Sequence, residues 1–361
     1  MRSRSRSSLL FCVLTACSAG DAGESGTTGT ASTGATGTSE GATEAPTSTK
    51  GTPTGTSAGM TSTTDVAGST GSGTDETTGV SSTGGTGSTG STGGTGETTG
   101  GDAIIIVEGL SHPESIAHDL MDDVYFISNI NGAPDGVDDN GFISRVLPDG
   151  TIDALAFIDG AAADVSLDAP KGMVIIEDTL WVADITRVRK FDRVSGAALG
   201  EVVIDGSLFL NDLAADAAGH IYISDTGANI LYTIDLAEQA SVLLASPAIF
   251  GPNGLFVHAD RLYLATYDDT KIFSTALGIP VALPEKSLDV GQLDGLVRLS
   301  DGDWLISSWA LPGVLRVAAD FGEVTTQIAD LSSPADIAVD EGRKRILIPR
   351  LLADRAEFHP Y

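Results

Sequence analysis

Residues 103–361 alternate short apolar runs with polar turns, and the runs have the length and composition of strands. Those at 124–128, 180–184, 221–225, 262–266, 304–308 and 346–350 are rich in β-branched and aromatic residues, the side chains that suit a pleated, buried surface. Turn pairs such as Asp149-Gly150, Ala218-Gly219 and Asp301-Gly302 punctuate the pattern. Two more strands follow in most units, for example at 230–235 and 240–244 in the third.

A four-residue phrase precedes each of these runs. It reads Pro113-Glu114-Ser115-Ile116, Pro170-Lys171-Gly172-Met173, Leu210-Asn211-Asp212-Leu213, Pro252-Asn253-Gly254-Leu255, Leu293-Asp294-Gly295-Leu296 and Pro334-Ala335-Asp336-Ile337. The phrase starts are 57, 40, 42, 41 and 41 residues apart. A period of about 40 residues with about four strands per unit describes propeller blades, whereas a solenoid calls for helices or a shorter coil period. The sixth unit ends after a third strand near Glu357 and Phe358, and the run at 103–107 precedes the first phrase with no partner of its own. Pairing these two ends would close the ring and remove an exposed sheet edge. The expected fold is therefore all-β: one six-bladed β-propeller over 103–361, closed by an N-terminal strand.

Positions one and four of the phrase keep their chemistry, while position two runs through Glu114, Lys171, Asn211, Asn253, Asp294 and Ala335. The first strand of a blade is innermost, so position two should line the central channel at one face. Glu114, Asn211, Asn253 and Asp294 would then bring oxygens from different blades together, a donor set for a hard divalent cation. Calcium takes about 6–8 oxygens, and magnesium or manganese fewer at shorter range. The antiparallel second strand ends at the same face. Its terminal residues, Asn129, Asp184, Asp225, Tyr267, Trp309 and Arg350, are the expected substrate-binding ring, with strand termination by turn hydrogen bonds as the alternative for Asp184 and Asp225. An inserted loop at 131–141 accounts for the extra length of the first unit and falls at this face, as a lid or as an acidic solvated turn. Its acids miss the EF-hand spacing.

Composition changes abruptly near residue 102. Residues 18–102 are almost entirely Gly, Thr and Ser with scattered Ala, Glu and Asp, too poor in apolar surface to offset the entropy of ordering, so a disordered linker is expected. As a Gly-rich coil it would span roughly 50 Å root-mean-square. Residues 1–17 read as an export signal: Arg2, Arg4 and Arg6, an apolar run from Leu9 to Leu14, and the tetrapeptide Leu14-Thr15-Ala16-Cys17. That tetrapeptide resembles the bacterial lipobox, which implies lipidation at Cys17 and a membrane-anchored lipoprotein of the bacterial cell envelope, periplasmic or surface-facing. An ordinary secretory signal is the alternative. Cys12 and Cys17 are the two cysteines of the sequence, so the folded part relies on its core without a disulfide. A formal net charge of −29 argues against nucleic acid and anionic lipid surfaces as partners and is compatible with metal cations and neutral or cationic small molecules. Membrane contact is expected through the lipid anchor alone, and the propeller is expected to be monomeric.

In order and spacing, Pro113-Glu114-Ser115, Asn211-Asp212-Leu213, Asn253-Gly254-Leu255 and Asp294-Gly295-Leu296 resemble the family of senescence marker protein, gluconolactonase and related six-bladed enzymes, the SGL domain. The likeness covers 103–361, and Asp225-Thr226-Gly227-Ala228-Asn229 also resembles NHL repeats. This resemblance implies a divalent metal on Glu114, Asn253 and Asp294, with Asn211 at the metal or the substrate, and hydrolysis of lactones or related esters. Paraoxonase-like lactonases use a similar Glu, Asn, Asn, Asp set, so the resemblance defines a site better than a substrate. Calcium is the expected cation, with zinc, manganese and magnesium as alternatives. A cation there would polarise the lactone carbonyl and acidify a bound water; Asp294 would serve as general base, and Lys171 would hold or polarise substrate oxygens. Lys171 is also a departure from the family. On the axis it would repel the cation or replace it in an ion pair with Glu114 and Asp294, leaving no metal. The competing function is a non-catalytic propeller that binds a small molecule, a sugar or a protein partner at the same pocket. The five histidines, His112 beside the first phrase among them, show no metal-ligand spacing.

Overall fold

The strand-forming runs sort into six four-stranded antiparallel sheets, in a computed structural model that describes residues 103–361. The expected export signal with Cys17 and the expected linker at 18–102 lie outside the described residues. The first sheet is Pro113–Asp119, Val124–Asn129, Phe142–Val146 and Ile152–Asp159, in that order from the axis outward. Four more sheets repeat this order. The sixth takes Ala338–Asp340, Arg345–Arg350 and Arg355–Pro360 from the C-terminal repeat and Ile105–Glu108 as its outermost strand. Ile105 lies opposite Phe358 and Glu108 opposite Arg355, so the expected closure by an N-terminal strand is present. The same two blades meet again at the axis, where Asp336 N donates to Glu114 O at 2.9 Å and Ser115 Oγ to Asp336 Oδ2 at 2.6 Å. The architecture is a six-bladed β-propeller.

Its core is six wedges, each joining two consecutive blades. Phe126, Ile143 and Ile158 of the first blade pack on Leu180, Val182 and Phe191 of the second; Val107, Leu110 and Tyr125 pack on Leu347 and Phe358 across the closure. Second strands have a neighbouring blade on either side. Val124–Asn129 and Ile221–Asp225 are buried along their whole length, whereas Val202 is the buried residue of the outer strand Ala198–Val203. Burial on both faces is why the second strands read as near-continuous apolar runs.

In the five blades with a full inner strand, the register with the second strand shifts between positions one and four of the phrase. A bulge of this kind takes positions two and three out of the regular ladder and re-aims their side chains. Where position three is glycine, it meets the next inner strand at very short range. A Cβ on Gly172 would lie 2.3 Å from Asp212 Oδ1, and one on Gly295 would lie 2.3 Å from Ile337 N, so only glycine fits there.

Candidate functional site

Positions two and three of the phrases assemble a polar cluster on the axis. Glu114, Asn211, Asn253 and Asp294 come from four blades and are between 3% and 6% exposed. Glu114 Oε2, Asn211 Oδ1, Asn253 Oδ1 and Asp294 Oδ1 are buried and accept no hydrogen bond. Buried polar atoms normally find a partner, so four orphan oxygens on inner strands that pack side by side suit a ligand that brings positive charge. Among the described residues no three His, Cys, Asp or Glu side chains are arranged to hold a metal by themselves; the orphan set has two carboxylates, completed by two amides. An all-oxygen set of this kind suits a hard cation.

Position three adds two acids, Asp212 and Asp336, beyond the expected donor set. Asp212 accepts from Leu213 N and, across the blade boundary, from Leu255 N, both at 2.6 Å. Asp336 accepts from Ser115 Oγ at 2.6 Å. Their signal was present in the phrase, where position three is glycine in three units and Ser115, Asp212 or Asp336 in the other three. Burial pushes the Glu114 carboxyl well above the usual range, and the charges of Asp294 and Asp336 push it further against the opposing effect of Lys171. Burial and then Asp336 do the same to Asp212. Burial and Asp336 push Asp294 up to about 8, and burial pushes Asp336 up to about 7. Acids crowded into such a space hold protons that a cation would displace.

Lys171 is held by backbone carbonyls rather than by the axial acids. Its Nζ donates to Pro134 O of the inserted loop at 2.8 Å and to Ala169 O at 2.9 Å, and lies over the Phe209 ring at 4.5 Å from the centroid. Among the described residues it forms no ion pair with Glu114 or Asp294. Burial pulls its ammonium down to about 8, against the opposing pull of Glu114, Asp184 and Asp135. The loop at 131–141 is thus fastened over the mouth. Asn131 Nδ2 donates to Asn140 O at 2.8 Å, and Asp139 N to Asp168 Oδ1 at 3.0 Å.

The expected substrate ring of Asn129, Asp184, Asp225, Tyr267, Trp309 and Arg350 does not form one column. Position one of each phrase pairs with Asn129, Asp184, Asp225, Thr266, Ser308 and Arg350, so Tyr267 and Trp309 stand one residue further along. A single step reverses the direction of a strand side chain. Asn129 donates to Ile127 O at 2.9 Å and Ser144 Oγ at 3.0 Å, and accepts from Ser111 N at 3.0 Å. Asp184 accepts from Ala169 N and Arg189 Nε, both at 2.8 Å. Asp225 accepts from Leu208 N at 2.8 Å and Phe209 N at 3.0 Å. Arg350 donates to Glu357 Oε1 at 2.5 Å and Ser332 O at 3.1 Å. These four tie strand ends to neighbouring backbone and strands.

The next column is Ile130, Ile185, Thr226, Tyr267, Trp309 and Leu351, and it faces the axis. Ile130, Ile185, Leu351 and Trp309 pack with Ala169 and Ala335 in one apolar cluster, and Trp309 Nε1 reaches Asp294 Oδ2 at 2.8 Å. Burial and then the Asp294 charge push the half-buried Tyr267 phenol up to about 12. Aligning the repeats on position one, instead of on the polar residue that ends each run, would have found this column. His112 lies beside Asp354, whose Oδ1 accepts from its backbone N at 2.8 Å.

No family model and no curated protein sequence matches the chain. Among solved structures it is similar to a gluconolactonase from Xanthomonas campestris, with 16% identity and a TM-score of 0.57 over 71% of this chain and 89% of that one. It is also similar to a streptogramin B lyase, with 10% identity and a TM-score of 0.53 over 71% of this chain and 96% of that one. Both likenesses are of fold: residues 103–361 form a gluconolactonase-like six-bladed propeller.

Proposed function

We propose that the chain is an exported, lipid-anchored hydrolase of lactones or related esters whose divalent cation, calcium first among the candidates, is held by Glu114, Asn211, Asn253 and Asp294. Four buried and unpartnered oxygens, one on each of these residues, support this reading. The likeness in fold to a gluconolactonase agrees with it. When bound, such a cation is a Lewis acid for a carbonyl oxygen and acidifies water. The side chains around it divide the remaining work. Asp294 rests Oδ2 on Trp309 Nε1, which leaves Oδ1 for the cation and sets the carboxylate at the cation's edge, where a general base would meet a cation-bound water. Tyr267 stays protonated at neutral pH and donates to a substrate oxygen, and Lys171 adds positive charge beside Glu114. Lipidation at Cys17 would tether the propeller to the cell envelope through the linker.

Calorimetric titration of the full-length protein with calcium, zinc, manganese and magnesium, followed by a panel of lactones, tests this. One cation site is expected, lost together with ring opening in Glu114→Ala and Asp294→Ala. Absence of both cation binding and ring opening would sink the proposal. Ligand capture without ring opening would instead mark a non-catalytic module on the same fold.

A further inference from the structure

The axial site is rich in oxygens at its floor and poor in polar groups at its wall. Ile130, Ile185 and Leu351 bring no polar side-chain atoms. Thr226 Oγ1 is committed to Pro252 O at 2.7 Å and Trp309 Nε1 to Asp294, so the Tyr267 hydroxyl is the remaining polar group of that column. Behind it, Asn129, Asp184, Asp225 and Arg350 are engaged by the protein's own backbone and side chains. The surrounding face adds apolar side chains among exposed acids such as Asp205, Asp289 and Asp354. Leu208, Phe250, Leu311 and Leu352 are 63%, 42%, 43% and 49% exposed, on connections that precede first strands or follow second strands and therefore open at this mouth.

Such a wall discriminates by solvation. A sugar lactone carries a hydroxyl on nearly every ring carbon, and each one buried without a partner costs about 1–3 kcal/mol. A hydrocarbon ring or chain gains about 0.8 kcal/mol for each methylene it buries. We infer that the axial site takes a lactone or ester with an alkyl or hydrocarbon-ring substituent and rejects polyhydroxylated lactones, although its fold is shared with a gluconolactonase. The inference rests on the hydrolase reading above and names its substrate class. Ring opening adds water across the acyl C–O bond, so the product is an amphiphilic hydroxy acid and one proton is released at neutral pH.

The test separates binding from chemistry. The full-length protein with calcium is titrated with γ-lactams, which resist ring opening, carrying unbranched alkyl chains of increasing length, and with gluconolactam; the matching lactones are assayed for turnover. Each added methylene is expected to tighten lactam binding about threefold to fourfold until the wall is covered, with gluconolactam weaker than the longer alkyl lactams. Leu351→Asn should flatten the chain-length dependence. The wild-type series carries the same information should that variant fail to fold. Equal or tighter binding of gluconolactam, no dependence on chain length, or no lactam binding at all overturns the inference. Chain-length-dependent binding with no lactone opened keeps the inference about ligand class and removes the hydrolase reading; turnover faster on gluconolactone does the reverse.

Discussion

Trp309 Nε1 donates to Asp294 Oδ2 at 2.8 Å, leaving Asp294 Oδ1 buried and without a partner on the axis. One bond therefore both orients the carboxylate and holds down a proton affinity that burial has pushed up to about 8. Trp309→Phe keeps an aromatic ring in the apolar cluster and removes the donor. Because a hydrogen bond to a charged group contributes about 1.5–3 kcal/mol, the Asp294 pKa should rise further. Protons compete with a cation for that oxygen, so calcium affinity should drop about tenfold or more near neutral pH and recover at alkaline pH. Calorimetric titrations of wild type and variant over a pH series would show it, and identical affinities at every pH would refute it.

Lys171 gives a second prediction. Its ammonium bridges the carbonyls of Pro134 and Ala169, and the first of these lies in the loop over the mouth. Lys171→Met retains much of the stem and removes both bonds. The loop at 131–141 should open about tenfold or more often, read as faster amide hydrogen exchange there with the inner strands unchanged. The lost positive charge had favoured ionised Glu114 and opposed an incoming cation, and removing a repulsion inside a low-dielectric site outweighs the smaller loss of Glu114 acidity. Calcium should bind more tightly to the variant. Weaker binding would mean that Lys171 prepares the site.

How far the sequence disclosed this site depends on which contacts are local. The blades were legible because a strand between two neighbours must be apolar on both faces, as at 124–128 and 304–308. The axial column was legible because the phrase fixes its frame and varies one position. The bulge inside the phrase has no composition of its own, so the burial of Asp212 and Asp336 beside Glu114 went unseen. Tyr267 and Trp309 resemble Asp184 and Asp225 in the sequence, since all four are polar or aromatic residues ending similar runs, and only the ladder register separates them. The direction of Lys171 is set by Pro134 and Phe209, 37 and 38 positions away along the chain, and no local pattern encodes which carbonyl a long side chain will reach.

Closure of the ring can be tested within one strand. In Ile105–Glu108, Val107 is 1% exposed and packs with Leu347 and Phe358, while the adjacent Ile106 points outward and is 50% exposed. Val107→Ala deletes two buried methyl groups in the wedge that joins the first and last blades, and should cost about 2 kcal/mol. Ile106→Ala should stay within about 0.5 kcal/mol. Denaturant unfolding of the two variants provides the comparison. Equal effects would mean that the N-terminal strand contributes hydrogen bonds to the sixth sheet but nothing to the core.

The buried acids also link stability to pH, with a sign opposite to that of an ordinary salt-bridged carboxylate. Glu114, Asp212, Asp294 and Asp336 all have folded-state values raised above their unfolded ones, to about 8 for Asp294 and about 7 for Asp336. The folded protein therefore binds more protons than the unfolded chain between about pH 4 and pH 8, and stability falls as pH rises through that window. Lys171 has a folded-state value lowered to about 8. Its penalty is present below that pH and fades as pH rises towards the ordinary lysine range, a sign opposite to that of the acids. Calcium binding to the ionised acids should reverse the loss. At a hundredfold excess over its dissociation constant it contributes about 2.7 kcal/mol, and its own affinity grows with pH as the competing protons leave. Thermal unfolding in chelator and in calcium should accordingly give curves that diverge steadily from pH 5 to pH 8 and meet at the acid end. Parallel curves would mean that the cation is not held by these carboxylates, and a cation-free protein that grows more stable from pH 5 to pH 8 would show that they are ionised without one.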